Sequence, residues 1–225
     1  MEYSLDGNIA ILHRDDGKAN AVGHSFIDGI NAGLDRAEGE AKAVLLRGRE
    51  GVFSAGFDLS EFKKGPEATM ALVKRGFELL HRLYSYPLPV VAACSGHGVA
   101  LGAFILLASD TRVGADGDFR ITLPETAISM DIPSLMMALV TSRVSPRHQT
   151  RAAIQAEVYS PRGAIEAGFL DEVVDASKLH ERSMVIANQL AELPQEFYAK
   201  NKLGTRKEAL ATMQDFLTNT FGPTP

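Results

Sequence analysis

Apolar residues recur along this chain in two rhythms, and their order predicts the elements. The block from Asn8 to His13 is short and apolar, which predicts a strand; Phe26, Ile27, Ile30 and Leu34 recur at helical spacing within Ser25 to Arg36, which predicts a helix. Lys42 to Leu46 reads as a second strand. It is followed by Arg49 to Gly56, a run of small residues and glycine suited to a tight turn with exposed backbone amides. A second long helical pattern runs from Glu67 to Tyr86 and is stopped by Pro87 and Pro89. Val90 to Ala93 then reads as a short buried strand, Ser95 to Gly98 as another turn, and the run from Leu101 as an apolar helix. Strand resumes over Asp110 to Val113. Beyond it the pattern is helical over Pro133 to Ser142, Pro146 to Ala156, Pro161 to Ala167 and from Lys178 onward. Strands and helices alternate up to about Met130 and helices dominate afterwards, which predicts an α/β core followed by helical elements.

The 225 residues, 45% of them hydrophobic, suffice for a substantial core. Acidic side chains outnumber basic ones by 28 to 23, a net charge of -5, which argues against a nucleic-acid partner or a polybasic membrane surface. The apolar run Ala103 to Ala108 is too short to cross a bilayer. Met1 to Asp6 lacks the basic and apolar regions of an export signal, so the expected compartment is the cytoplasm. Cys94 is the only cysteine; it has no disulfide partner, no metal-ligand neighbours, and reads as a small buried residue at a strand end. No metal site and no low-complexity linker are visible, and one domain is expected over residues 1–225.

Three segments carry candidate chemistry. The first is Phe53-Ser54-Ala55-Gly56-Phe57-Asp58-Leu59, and the second runs from Pro89 through Ser95-Gly96-His97-Gly98 to Leu101-Gly102. At the second, the start of a helix leaves amides unpaired at the positive end of the helix dipole. Two such amides aimed at one point form an oxyanion hole. Either turn alone would be an ordinary loop. The third segment, Phe119 to Met130, contains Glu125, which on its own reads as a solvated turn residue. Together, in this order and with a helix between the first two, the segments resemble the crotonase (enoyl-CoA hydratase/isomerase) superfamily from about Asn8 to about Leu203.

That resemblance implies a spiral of repeated strand-strand-helix units up to about residue 130. The helices of about 131–225 would then serve oligomerisation, as a trimer or a hexamer. It implies an acyl-CoA substrate, with coenzyme A as part of the substrate and no separate cofactor. The thioester oxygen would meet the amides of Phe57 and Leu101, with Asp58, Leu59 and Ala100 beside the substrate and Glu125 as the catalytic carboxylate. Lys18-Ala19-Asn20-Ala21 resembles the family's CoA-contacting segment, with Lys18 suited to phosphate and the Ala19 backbone to the adenine or pantetheine portion. Lysine in a polar turn equally reads as solvent-facing, and Lys63 and Lys64 are alternative phosphate partners.

One departure bears on the reaction. Hydratases of the superfamily hold a water between two glutamates, and the position of the first, counted from the Gly96 turn, is Phe104 here. A phenyl ring transfers no proton. The same position is apolar in Δ3,Δ2-enoyl-CoA isomerases, whose later glutamate segment Leu123 to Ser129 resembles. The resemblance therefore implies an isomerase in which Glu125 is the single proton shuttle, with Phe104 helping to keep the carboxylate dry and basic. The alternatives are a hydratase, another crotonase-type acyl-CoA enzyme using His97 or Asp131, or a CoA-binding paralogue without turnover. His97 otherwise reads as a turn residue, and Asp131 as a cap for the helix beginning near Pro133. Met130, Leu135 and Met136 would line a tunnel or fill the core, the core being the plainer expectation.

Overall fold

The computed structural model describes residues 1–222. Among the described residues nine strands form two sheets. Strands β1 (Glu2–Asp6) and β2 (Ile9–His13) make an antiparallel hairpin; β3 (Ala43–Arg47), β5 (Val90–Cys94), β7 (Thr111–Ala115) and β9 (Glu172–Val174) extend it with parallel partners in the order β1-β2-β3-β5-β7-β9. The second sheet is parallel, with order β4 (Gly51–Ser54), β6 (Gly96–Val99) and β8 (Ile121–Thr122). The helices are α1 (His24–Glu40), α2 (Leu59–Phe62), α3 (Pro66–Ser85), α4 (Leu101–Ala108), α5 (Ser134–Arg143), α6 (Pro161–Ala167), α7 (Leu179–Ala191) and α8 (Gln195–Phe221). After the β1-β2 hairpin, the pairs β3-β4, β5-β6 and β7-β8 each give their first strand to the large sheet and their second to the small one, as in β3-β4-α3 and β5-β6-α4. The strand-strand-helix spiral implied by the sequence is therefore present.

The central strands read as unbroken apolar runs because both faces of the large sheet are covered. Val44, Leu46, Val90 and Ala92 pack into the main core with residues of α1, α3 and α4. Ala43, Leu45, Val91, Ala93 and Val113 face the other way, toward Leu179, Ala187 and Ala191 of α7. The stretch beyond residue 131, expected to serve assembly, closes one face of the sheet with α7 and adds β9 at the edge. On the other side of the molecule α8 packs against α3 and α5.

Three sequence expectations change. The two glycine-containing turns are β4 and β6, whose strand character comes from pairing with each other rather than from an apolar rhythm of their own. Pro146 to Ala156 is not an α-helix; it is a run of turns leading to a π-helical turn over Thr150–Ile154. Its buried apolar residues Ala152 and Ala153 are adjacent instead of recurring once per turn, and Ala156 leaves with φ at 51°. The helix from Lys178 is broken at Pro194 into α7 and α8. Cys94 is buried without a disulfide, and burial pushes its thiol up to about 12. Among the described residues no helix is long and apolar enough to cross a membrane.

Candidate active site

The first oxyanion-type segment leaves β4 at Ser54 and turns at Gly56, whose φ of 93° suits glycine. A Cβ on Gly56 would lie 2.9 Å from the Ala100 Cβ and 3.4 Å from the Leu101 amide nitrogen. A Cβ on Gly102 would lie 2.3 Å from the Ser54 carbonyl oxygen. The end of β4 and the start of α4 therefore touch at positions where side chains are absent.

A third segment fixes this junction from outside. Asn20 is fully buried, and its side-chain Nδ2 donates to the carbonyl of Arg14 at 2.9 Å and to those of Val52 and Phe53 at 3.3 Å. The Ser54 hydroxyl donates to the Asn20 carbonyl at 2.9 Å, and the Ala55 amide donates to the Ala19 carbonyl at 3.0 Å. The Val22 amide donates to the Gly56 carbonyl at 2.8 Å, and the Asp58 amide to the Val22 carbonyl at 3.2 Å. In a parallel bridge of this kind the central residue turns its own N–H to the opposite side. Phe57 is that residue. Among the described residues neither its amide nor that of Leu101 meets an acceptor. Leu101 opens α4, so its amide has no partner within the helix and carries the positive end of the dipole. Ala100 holds the entry to α4 at φ 51°, ψ -127°, a costly conformation for alanine, tied by its amide to the Thr122 carbonyl at 3.1 Å.

Glu125 follows β8 and Pro124. It is only 6% exposed, and its Oε2 is enclosed without a hydrogen-bond partner among the described residues. Burial raises its carboxyl from the ordinary range to about 7, against a small opposing pull from its own backbone amide. Buried polar atoms normally find partners, and exceptions concentrate at reactive sites.

Phe57, Leu101 and Glu125 all line one cavity of about 530 Å³. Its other walls are largely apolar, built from Phe77 of α3, Met136 of α5, and Phe216 and Phe221 of α8. Two residues with unpaired amides and one buried carboxylate thus border the same largely apolar space, with Asp131 also on its wall. Such a site can stabilise a developing oxyanion while one group moves a proton.

Residues 6–218 match the family described as Enoyl-CoA hydratase/isomerase. The chain belongs to that family. A solved enoyl-CoA hydratase/isomerase family protein from Pseudomonas syringae is 37% identical, with a TM-score of 0.93 over 96% of this chain and 94% of the other. A Mycobacterium tuberculosis protein, described in one solved structure as an enoyl-CoA isomerase and in another as a probable enoyl-CoA hydratase, is 34% identical in the first, with a TM-score of 0.91 and 98% of both chains covered. A probable enoyl-CoA hydratase of Bacillus subtilis is 28% identical over 201 residues, 85% of this chain and 76% of its own. This hydratase/isomerase chain is thus an enzyme of the superfamily, with relatives described under both activities.

The remaining residues of interest fall into two groups. Ala19, Leu59 and Ala100 line the cavity, as do Met130, Asp131 and Met136. Asp131 does not act as a cap: α5 starts at Ser134 with Pro133 before it and no side-chain cap. Met130 and Met136 likewise face the cavity, against the expectation of pure core, whereas Leu135 is fully buried away from it.

Asp58 lies outside the cavity wall and caps α2, accepting from the Ser60 amide at 2.9 Å, and its bonds to Ser60 hold its carboxyl below the usual range. Lys18, Lys63 and Lys64 are exposed and do not line the cavity, and Lys64 is paired with Glu61 at 2.7 Å. Phe104 corrects the expectation most directly. It is fully buried with the whole of α4 and forms core rather than cavity wall. His97 also points elsewhere, with its Nδ1 accepting from the Arg120 amide at 3.0 Å and its ring edge-on to Phe119. The sequence reading missed Asn20 as the clamp of the amide segment and Phe77, Phe216 and Phe221 as cavity wall. A larger hollow of about 700 Å³ lies around Asp110, Lys202 and Arg206. Asp110, Lys202 and Arg206 pair with one another and with the Leu88 and Tyr84 carbonyls, while Arg143 beside them donates to the Ser109 and Asp110 carbonyls, contacts that tie α8 and α5 to the start of β7.

Proposed function

We propose that this family member is a Δ3,Δ2-enoyl-CoA isomerase, and the observation that carries the reading is Glu125. Among the described residues it is the one buried carboxylate in the cavity wall, unpartnered and poised near neutrality beside two free amides. In the reaction Glu125 takes a proton from C2 of a 3-enoyl thioester. The C2–H electrons flow into the carbonyl, giving a dienolate whose oxygen is held by the Phe57 and Leu101 amides. Glu125 then returns the proton at C4, and the double bond comes to rest between C2 and C3. No cofactor beyond the coenzyme A of the substrate takes part. The apolar wall receives the acyl chain. The Ala19 and Ala55 side of the cavity receives the pantetheine arm, with Lys18 or Lys63 near the CoA phosphates.

A base whose pKa lies near the working pH is both available and strong, which favours proton shuttling by a single group. Hydration is the second reading, favoured by Asp131, which borders the same cavity and would supply a second carboxylate for water. The test uses matched 3-enoyl-CoA and 2-enoyl-CoA of one chain length. The isomerase reading expects conversion of the first to the 2-enoyl product and slow addition of water to the second; rapid hydration without isomerisation reverses the assignment.

A further inference from the structure

Both residues that carry the free amides rest their side chains against the same point on α3, and that point is a glycine. A Cβ on Gly76 would lie 2.5 Å and 2.6 Å from Cε1 and Cζ of the Phe57 ring and 3.2 Å from Cδ2 of Leu101. Distances under about 3 Å cannot be accommodated without movement. Phe62 and Phe77 flank the Phe57 ring with centroids at 5.7 Å and 6.4 Å, so the ring can leave the notch only toward the cavity that it lines. The Phe57 backbone is tied through the bonds of Gly56 and Asp58 to Val22. Leu101 is buried at the first position of α4. Glycine is a poor choice for the interior of a 20-residue helix, where alanine is the better helix former. The notch at Gly76 is therefore explained by what it receives.

We infer that Gly76 is a positioning residue: the notch keys the Phe57 ring and the Leu101 side chain, and so sets where the two amides stand relative to Glu125. Gly76 touches no substrate and acts only through those two residues. The inference rests on the proposed roles of the Phe57 and Leu101 amides. A methyl group in the notch must move the Phe57 ring and crowds Leu101 by a few tenths of an ångström. The push on the ring reaches the Phe57 amide as strain on the backbone that Val22 holds, and a shift of about 1 Å at a catalytic group is enough to cost on the order of 100-fold in rate.

The test compares wild type, Gly76→Ala, Phe57→Ala and the double variant on 3-enoyl-CoA, with acyl-CoA affinity and thermal melting measured alongside. Phe57→Ala keeps the backbone amide and removes the ring that the methyl would strike. Gly76→Ala is expected to lower kcat about 10-fold to 100-fold with KM changed far less, and the double variant to recover the activity of Phe57→Ala. A purely structural glycine would show the pairwise rescue in the melting temperature alone, whereas a positioning glycine shows it in kcat of the folded variants at nearly constant KM. If Gly76→Ala does not fold, the double variant decides alone: folded and as active as Phe57→Ala supports the key, and inactive beside an active Phe57→Ala overturns it. Full activity of Gly76→Ala beside an active wild type also overturns it. A wild type inactive on every enoyl thioester would instead remove the proposed function, and this inference with it.

Discussion

Glu125 sits where burial raises its carboxyl to about 7, and this fixes the expected pH dependence. The reaction needs the ionised form, so kcat/KM should be level above pH 7 and fall about tenfold per unit below it. A profile flat down to pH 5 would contradict the assignment. Phe104 calls for a second test at this scale. Because it lies in the closed interior of α4, Phe104→Glu should bury a charge without a partner and cost several kcal/mol of stability, with no hydration of 2-enoyl-CoA gained. Melting curves and a hydration assay on the folded fraction check both parts. The sequence disclosed the residue types here but not their directions. Every residue of α4 is buried, so its pattern has no polar side from which the facing of Phe104 could be read. The isolation of Glu125 Oε2 depends on neighbours from several segments, which spacing does not reveal.

Among the elements, α8 is the one whose role was least visible. Its buried residues include Lys202 and Arg206, which pair with Asp110, so charged positions interrupt the apolar rhythm that identifies a packed face. Yet its far end brings Phe216 and Phe221 onto Phe77, with centroids 5.8 Å and 6.5 Å from that ring, to form part of the cavity wall. Each methylene buried against such a wall contributes about 0.8 kcal/mol, roughly a fourfold gain in kcat/KM per carbon until the space is filled. Phe216→Ala should move the optimum toward longer acyl chains and weaken short ones. A chain-length series on both proteins measures this, and an unchanged optimum would show that α8 does not bound the acyl site. The strands β4 and β6 escaped the sequence for a related reason. They are four residues long and contain glycine, and only their pairing with each other and, for β6, with β8 makes them strands. The long helices and the central strands, whose periodicity faces a continuous core, were legible to within a few residues.

Across the whole molecule, the spiral places three distant segments at one point, and the family resemblance rather than periodicity anticipated that convergence. Assembly belongs to this scale too. Phe197 and Leu203 on the first half of α8 are 62% and 43% exposed, and the family resemblance implies that such later helices meet other subunits. We expect a trimer or a pair of trimers by light scattering at micromolar concentration, and a stable monomer would contradict this. The central claim, that one carboxylate moves the proton, is tested most directly by turnover of 3-enoyl-CoA by wild type and Glu125→Gln. The folded-state carboxyl is raised above its unfolded value, so the stability it contributes is present at low pH and lost as pH rises through about 7. The glutamine variant should accordingly melt no lower than wild type at pH 8, which makes it a fair comparison. The account predicts acyl-CoA affinity close to wild type and isomerisation reduced about 100-fold to 10,000-fold, whereas full isomerase activity in the folded variant would contradict it.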